Sequence, residues 1–199
     1  IDKVIALAIS HNVKIGVHPS FPDPKNFGRV VMEMTDLQLQ ESLEQQLRLF
    51  KERATLQNAT VHHVKPHGAL YHLIAVDEAK AAIFSQVVQR VFEATKLYVP
   101  FNSKIEKVAQ ERRIEIVYEA FADRNYNDDL TLVSRAQPNA IISDNEQIVA
   151  HVNRMLHESK VKTVLDNKQA IKAETFCVHG DNENIIQILE KLHQAFLSD

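Results

Sequence analysis

The feature that most constrains the fold is the alternation of short β-type runs with helical patterns along the whole chain. Parallel strands need a long crossover connection, which is usually a helix, so this order predicts an α/β fold with a mostly parallel sheet. The predicted strands cover residues 13–17, 60–65, 97–99, 114–118 and 174–179.

The helical segments are marked by their apolar spacing and by their N-terminal caps. Thr35 begins a capping-box pattern with Gln38, and Leu39, Leu43 and Leu47 follow at helical spacing. Asp181 has the position of an N-cap for a final helix. The other predicted helices are an opening helix that carries Ile5 and Ile9, and helices over residues 77–95, 103–113 and 144–158.

Composition places the chain among ordinary globular proteins. Its 199 residues, of which 45% are hydrophobic and 25% are charged, suit a single α/β domain over residues 1–199. The chain starts at Ile1, inside a helical pattern, so we expect an N-terminally incomplete domain.

Charge and cysteine content exclude several classes of function. With a net charge of −3 and no lysine or arginine block, we expect no nucleic-acid partner, and with no apolar run of membrane-span length we expect no membrane partner. The single cysteine, Cys177, cannot form an internal disulfide, which favours a reducing, cytoplasmic location. The chain contains neither a GxxxxGK[ST] nor a GxGxxG motif, so no standard glycine-rich phosphate cradle is present.

Polar side chains follow four of the predicted strands. The segments after these strands are HPSFPD at 18–23, PHGALY at 66–71, EAFADRNY at 119–126 and HGD at 179–181. Because the carboxyl ends of parallel strands share one face, we expect these side chains to meet in one cleft. The long polar stretch 123–139 is predicted to be an irregular, functional loop.

The residue types allow two kinds of chemistry at such a cleft. His18, His67 and His179 could hold a metal ion together with Asp181 or Asp123, because imidazole and carboxylate suit Zn²⁺. Alternatively, the histidines could move protons near neutral pH, or each could be an ordinary hydrogen-bonding residue.

The two cations are candidates for binding anionic oxygens. Lys65 could act as a point charge, or as a base if it is desolvated. Arg124 could clamp a carboxylate, with Asp123 orienting it or acting as a base. The neighbouring His62 and His63 are predicted to be packing or solvent-facing residues. The other histidines are predicted to lie on the surface: His11, His72, His151, His157 and His193.

Six motifs, in order along nearly the whole chain, resemble the LamB/YcsF family: IGVHPSFPD, FGR, VKPHGALY, EAFADRNY, RAQPNAII and CVHGD. The resemblance implies a distorted (β/α) barrel-like fold similar to glycoside hydrolase and deacetylase barrels. Because the family's motifs resembling DLNCDLGE and NIACGFHAGDP are not found in these 199 residues, we expect the described fold to lack its first βα units.

The resemblance also implies an activity, co-substrates and partners. These are ATP-dependent cleavage of 5-oxo-L-proline to L-glutamate, with Mg²⁺ accompanying ATP, and work in common with the B and C subunits of a 5-oxoprolinase. Homo-oligomer formation is a further possibility. We assign roles by chemistry: His18, Lys65, His67, Asp123 and Asp181 as catalytic residues, and Arg29, Tyr71, Arg124 and His179 as substrate-binding residues.

Two other functions stay open from the sequence. One is a metal-dependent deacetylase or amidase, in which His18, His67, His179 and Asp181 are the candidate ligands. The other is a non-catalytic subunit that binds substrate and docks onto partner subunits. The missing glycine-rich cradle favours the second of these alternatives.

Overall fold

The structure, a computed structural model, describes residues 1–197. The chain divides into two compact units, Ile1–Val117 and Tyr118–Asp199. The prediction of a single domain stays a prediction, and each unit is described by itself.

The first unit consists of parallel strands joined by helices. Strand β1 pairs with β2, and β2 pairs with β3, both in parallel. The elements are α1 (Asp2–Ser10), β1 (Ile15–Val17), α2 (Asp36–Leu56), β2 (Val61–Val64), α3 (Gly68–Val76), α4 (Glu78–Val91), β3 (Lys96–Val99) and α5 (Lys104–Glu111).

Strand β4 (Ile116–Phe121) begins in the first unit and continues into the second, where it pairs in parallel with β7 (Thr175–Cys177). The second unit also contains a short antiparallel pair, β5 (Lys160–Lys162) and β6 (Lys168–Ala170). Its helices are α6 (Asn145–His157) and α7 (Ile185–Phe196). The predicted α/β fold with parallel strands is confirmed.

In the first unit, the two faces of the sheet differ in character. Val17, Val64 and Leu97 are almost completely buried on one face. Because successive side chains of a strand point to opposite faces, Gly16 and His63 lie on the other face, which is only half-buried. The apolar face is thus the core side, and the opposite face carries polar groups.

The core of the second unit lies between the irregular loop, β7 and the two helices. Ala122, Ile142, Ile148, Val152 and Ile188 form one buried cluster. The partly buried side chains packed on this cluster are Phe176, Val178, Leu192 and Phe196.

The start of α2 agrees with the prediction, which depends on a capping pattern between residues that are close in the sequence. Thr35 Oγ1 accepts from the Gln38 N–H at 3.2 Å, and Gln38 Oε1 accepts from the Thr35 N–H at 2.9 Å, so the predicted capping box is confirmed. Among the described residues, no helix combines the length and the apolar character that crossing a membrane requires.

Two predictions about local structure are wrong. The final helix begins after Asn184, not at Asp181, because Asn182 O accepts from the Ile185 N–H in a turn that precedes α7. His151 is 5% exposed and not a surface residue, because it lies on the core face of α6 between Ile148 and Met155. Helix α3 is absent from the predicted elements.

Candidate functional site

The carboxyl ends of β1 and β2 bring together three of the predicted catalytic residues. His18 follows β1, and Lys65 and His67 follow β2. Main-chain bonds continue the strand pairing beyond the strands: the Lys65 N–H donates to Val17 O at 3.0 Å and the His67 N–H to Pro19 O at 2.8 Å. The backbone therefore fixes the position of all three residues.

The two histidines form a continuous hydrogen-bonded chain. His18 Nδ1 donates to Lys65 O at 2.6 Å, His67 Nε2 donates to Phe27 O at 2.8 Å, and His18 Nε2 lies 2.9 Å from His67 Nδ1. Carbonyl oxygens only accept, so both outer nitrogens carry protons. The facing nitrogens can then form a hydrogen bond only if the pair holds one further proton and a positive charge.

The environment decides which ring carries that charge. Desolvation of the His18 ring by the surrounding protein, followed by the charge of Lys65, lowers the pKa of His18 to about 4, although the residue as a whole is exposed to solvent. Since His18 is the ring that is harder to protonate, we assign its Nε2 as the acceptor in this hydrogen bond and the facing Nδ1 of His67 as the donor.

This assignment predicts a directly measurable charge state. In nitrogen-15 spectra at pH 7, His67 is expected to show the shifts of an imidazolium and His18 those of a neutral ring protonated at Nδ1. In a His18→Ala variant the acceptor is gone, and the imidazolium shifts of His67 are expected to be lost at pH 7. Two neutral rings at pH 7 in the unmodified protein would contradict the assignment.

The loop 23–29 closes one side of the histidine pair. Phe27 has φ +53°, in the left-handed region that bulky residues avoid at a cost of roughly 1–2 kcal/mol. Its ring meets the His67 ring edge-on, with 5.2 Å between ring centres. The next residue, Gly28, also has a positive φ, and a Cβ there would lie 2.9 Å from the Ser20 Cβ.

Gly68 joins this loop to the start of α3. The Ala69 N–H donates to Gly28 O at 3.0 Å, and Gly68 itself has φ +55°. A Cβ on Gly68 would lie 2.6 Å from Gly28 O, which leaves no room for a side chain. The glycine in the predicted PHGALY segment is therefore required by the close approach of two backbone segments.

In the second unit, Asp123 and His179 form a carboxylate–imidazole pair. Asp123 is 2% exposed and accepts from the His179 N–H at 3.0 Å and from His179 Nδ1 at 2.9 Å. Burial alone would raise the pKa of the Asp123 carboxyl, but the hydrogen bonds and the charge of His179 bring that pKa below its ordinary value. With Nδ1 donating to Asp123, His179 Nε2 is the nitrogen that can accept a proton.

Two other predicted site residues of this unit have partners within the protein. Arg124 is buried, and it donates from Nε to Ala140 O at 3.1 Å and from Nη2 to Val133 O at 2.6 Å, so it fastens the irregular loop. Asp181 lies 3.4 Å from Arg135 in a half-exposed ion pair. These contacts lie within the second unit, and the predicted site roles of Arg124 and Asp181 stay predictions.

The remaining predicted residues lie in the first unit. Tyr71 is buried in α3, and the Arg29 guanidinium carbon lies 5.3 Å from the centre of the Phe27 ring. The prediction that the strand-end residues of the whole chain share one cleft stays a prediction.

His63, which the sequence predicts to be a packing or solvent-facing residue, packs on Tyr98, and the sequence does not identify Tyr98 as its partner on the polar face. Their rings stack with 4.0 Å between centres and an interplanar angle of 5°. Burial and the neighbouring charges of His62 and Lys65 lower the pKa of His63 to about 4, so the stacked ring is neutral. Gly16 lies against the ring of His63. In the sequence, the two-residue spacing of His63 and Lys65 indicates that both side chains point to the same face of the strand.

The arrangement of His18 and His67 bears on their predicted role as metal ligands, which stays a prediction. Within residues 1–197 no group of three histidine, cysteine or acidic side chains is arranged around a common point. His18 and His67 each donate one ring nitrogen to a carbonyl, and their other nitrogens face each other at 2.9 Å. These residues therefore have no free pair of nitrogens with which to hold a metal ion between them.

Comparison with known proteins gives a consistent result. A sequence model of the LamB/YcsF family matches residues 1–199. A protein of Alkaliphilus metalliredigens, named as the A subunit of 5-oxoprolinase, is 36% identical over 194 residues, which cover 98% of this chain and 76% of that protein. A protein of Histophilus somni with the same name is 37% identical, over 98% of this chain and 78% of that protein.

A solved structure agrees with the sequence comparisons. The crystal structure of a lactam utilization protein from Thermus thermophilus matches with a TM-score of 0.88 and 30% identity, covering 98% of this chain and 79% of that chain. The motifs, the fold and these matches lead to one conclusion: the chain belongs to the LamB/YcsF family.

Proposed function

We propose that this chain is the A subunit of a 5-oxoprolinase and takes part in the ATP-dependent cleavage of 5-oxo-L-proline to L-glutamate. The observation that carries the proposal is that relatives named as the A subunit of 5-oxoprolinase match 96–99% of this chain at 34–37% identity. The histidine pair beside Lys65 supports it, because ring opening requires proton transfer.

Amide resonance makes the lactam carbon a poor electrophile, which is a physical reason for coupling to ATP. In the proposed reaction the lactam oxygen takes the γ-phosphoryl group, ADP leaves, and the ring nitrogen loses its proton. Water then adds to the activated carbon, and the carbon–nitrogen bond breaks as the nitrogen gains protons. A second water attacks the resulting acyl phosphate at carbon and releases phosphate.

The side chains of the first unit are suited to the charged groups in this sequence. The protonated pair of His18 and His67 is proposed to supply one proton to the leaving nitrogen when the hydrogen bond between the two rings opens to admit the substrate, and to regain a proton from solvent after each turnover. Lys65, whose charge acts on His18, is proposed to attract the phosphoryl or carboxylate oxygens. In the second unit, His179 Nε2 is proposed as a base for water, with Asp123 holding its tautomer.

ATP and its Mg²⁺ are proposed to bind with the help of the B and C subunits. The 199 residues contain no standard glycine-rich cradle, so a second polypeptide is a reasonable source of phosphate contacts. Two alternatives stay open for an assay to test: a metal-dependent deacetylase or amidase, and a chain that binds substrate without taking part in catalysis.

Reconstitution tests the proposed function. The full-length chain is combined with the B and C subunits, and glutamate formation from 5-oxo-L-proline is measured with and without ATP. We expect glutamate only when all three polypeptides and ATP are present. Loss of activity in a His67→Gln variant that still binds substrate would support catalysis by this chain, and full activity would favour the non-catalytic alternative.

Isotope tracing tests the chemical route. With oxygen-18 in the lactam carbonyl, the label is expected in released phosphate, because the second water attacks carbon and the labelled oxygen leaves with phosphorus. Label found only in the γ-carboxylate of glutamate would reject this route.

A further inference from the structure

Phe27 combines two properties that folding alone does not explain. Its side chain is an aromatic ring in a residue that is 66% exposed, and its backbone has φ +53°. Bulky residues rarely take up this conformation, and observed outliers of this kind concentrate at ligand sites.

The position of Phe27 is held by several main-chain bonds. Asp23 O accepts from the Gly28 N–H at 3.0 Å, and Phe27 O accepts from His67 Nε2 at 2.8 Å. Gly28 O accepts from the Ala69 N–H at 3.0 Å. Since the loop is bonded on both sides of Phe27, the exposed ring is presented at a fixed place.

The surroundings of the ring are polar and cationic on two sides. The His67 ring lies edge-on at 5.2 Å between centres, and the Arg29 guanidinium carbon lies 5.3 Å from the centre of the Phe27 ring. A ligand that contacts Phe27 therefore lies beside an imidazole ring and a guanidinium group. A small saturated ring that carries a carboxylate has the matching chemistry: apolar ring carbons for the phenyl face, and an anion for the cations.

We propose that Phe27 is a specificity-determining wall of the substrate site, which contacts the ring methylenes of 5-oxo-L-proline while Arg29 faces its carboxylate. This rests on the proposed function and adds to it the residue that selects a closed ring. The wall distinguishes the lactam from open-chain glutamate, which cannot present the same flat ring to the phenyl group.

Calorimetric titration with 5-oxo-L-proline tests the wall in the full chain with the B and C subunits. The Phe27→Ala variant is expected to bind about 10- to 50-fold more weakly, and Phe27→Tyr within about threefold of the unmodified protein. In steady-state assays we expect the loss in Phe27→Ala to fall on KM, with kcat changed less than about threefold.

The matched control is Leu56→Ala, because Leu56 is 68% exposed at the end of α2 and Phe27 is 66% exposed. The control is expected to bind as the unmodified protein does. Equal binding by Phe27→Ala and the unmodified protein would contradict the proposed contact between Phe27 and the substrate ring, but it would not contradict the proposed function. Absence of binding by the unmodified protein in the presence of a non-hydrolysable ATP analogue would overturn both.

Discussion

Replacing Asp123 with asparagine is expected to lower kcat of the reconstituted enzyme by roughly 10³- to 10⁴-fold, the size of effect seen when a carboxylate that orients a catalytic histidine becomes an amide. The physical reason is the tautomer of His179. Asp123 accepts from the His179 N–H and from Nδ1, and an amide placed there can present an N–H to Nδ1. The proton then moves to Nε2, which can no longer accept one from water.

The same variant has a defined signature in stability against pH. Because the pKa of Asp123 is lower in the folded protein, its carboxylate contributes stability above the unfolded value of about 3.9, and this contribution is lost as pH falls through the folded pKa. The Asp123→Asn variant lacks this contribution. In chemical denaturation, the free energy of unfolding is expected to fall less between pH 7 and pH 3 in the variant than in the unmodified protein.

Asp166→Asn is the matched control for the loss of one carboxylate. The Asp166 side chain is 80% exposed and pairs with Lys162, and its φ of +64° is one that asparagine tolerates. Its activity is expected to stay within about twofold, as is usual for exposed positions. If Asp123→Asn retained comparable activity while folded, the role of His179 as a base would be excluded.

Replacing Gly68 with alanine is expected to cost about 2–5 kcal/mol in the free energy of unfolding. The left-handed backbone accounts for roughly 1–2 kcal/mol and the contact with Gly28 O for the rest, because that neighbour is a backbone atom fixed by a hydrogen bond from Ala69. For a chain of this length the melting temperature is expected to fall by roughly 10 °C.

Gly180→Ala separates crowding from the general effect of adding a methyl group. A Cβ on Gly180 meets nothing within 4 Å, and this glycine has no positive φ. Alanine is expected to be neutral there, or stabilising by up to about 1 kcal/mol through the unfolded chain. Equal melting temperatures for the two alanine variants would contradict the close packing of Gly68 against the loop.

The parts of the fold that the sequence predicts are those set by local patterns. The capping box at Thr35 depends on two residues three positions apart, and the leucines of α2 repeat on one helix face. Helix α3 shows no such contrast, because its buried residues, among them Ala69, Leu70 and Ile74, leave little polar face to mark a period.

The candidate site also contains features that the sequence predicts and features that only the structure gives. Strand-end histidines are visible in the sequence, whereas the pairing of Asp123 with His179 joins residues 56 positions apart and depends on β4 lying beside β7. The inference that His18 and His67 share a positive charge depends on the carbonyl oxygens of Lys65 and Phe27, which only the structure places beside the two rings. The burial of His151 is predictable, because Ile148 and Met155 place it on the apolar face of α6. The prediction of a surface position follows instead from the polarity of histidine.

The way loop 23–29 is fastened bears on how new specificities could arise. Its anchors are Asp23 O, Phe27 O and Gly28 O, which every residue type supplies. A change of side chain at position 27 therefore leaves these main-chain bonds in place. With Phe27 as the proposed wall of the substrate site, we expect adaptation to a larger or differently substituted ring to be accessible through a single codon, so laboratory evolution aimed at other lactams would begin there.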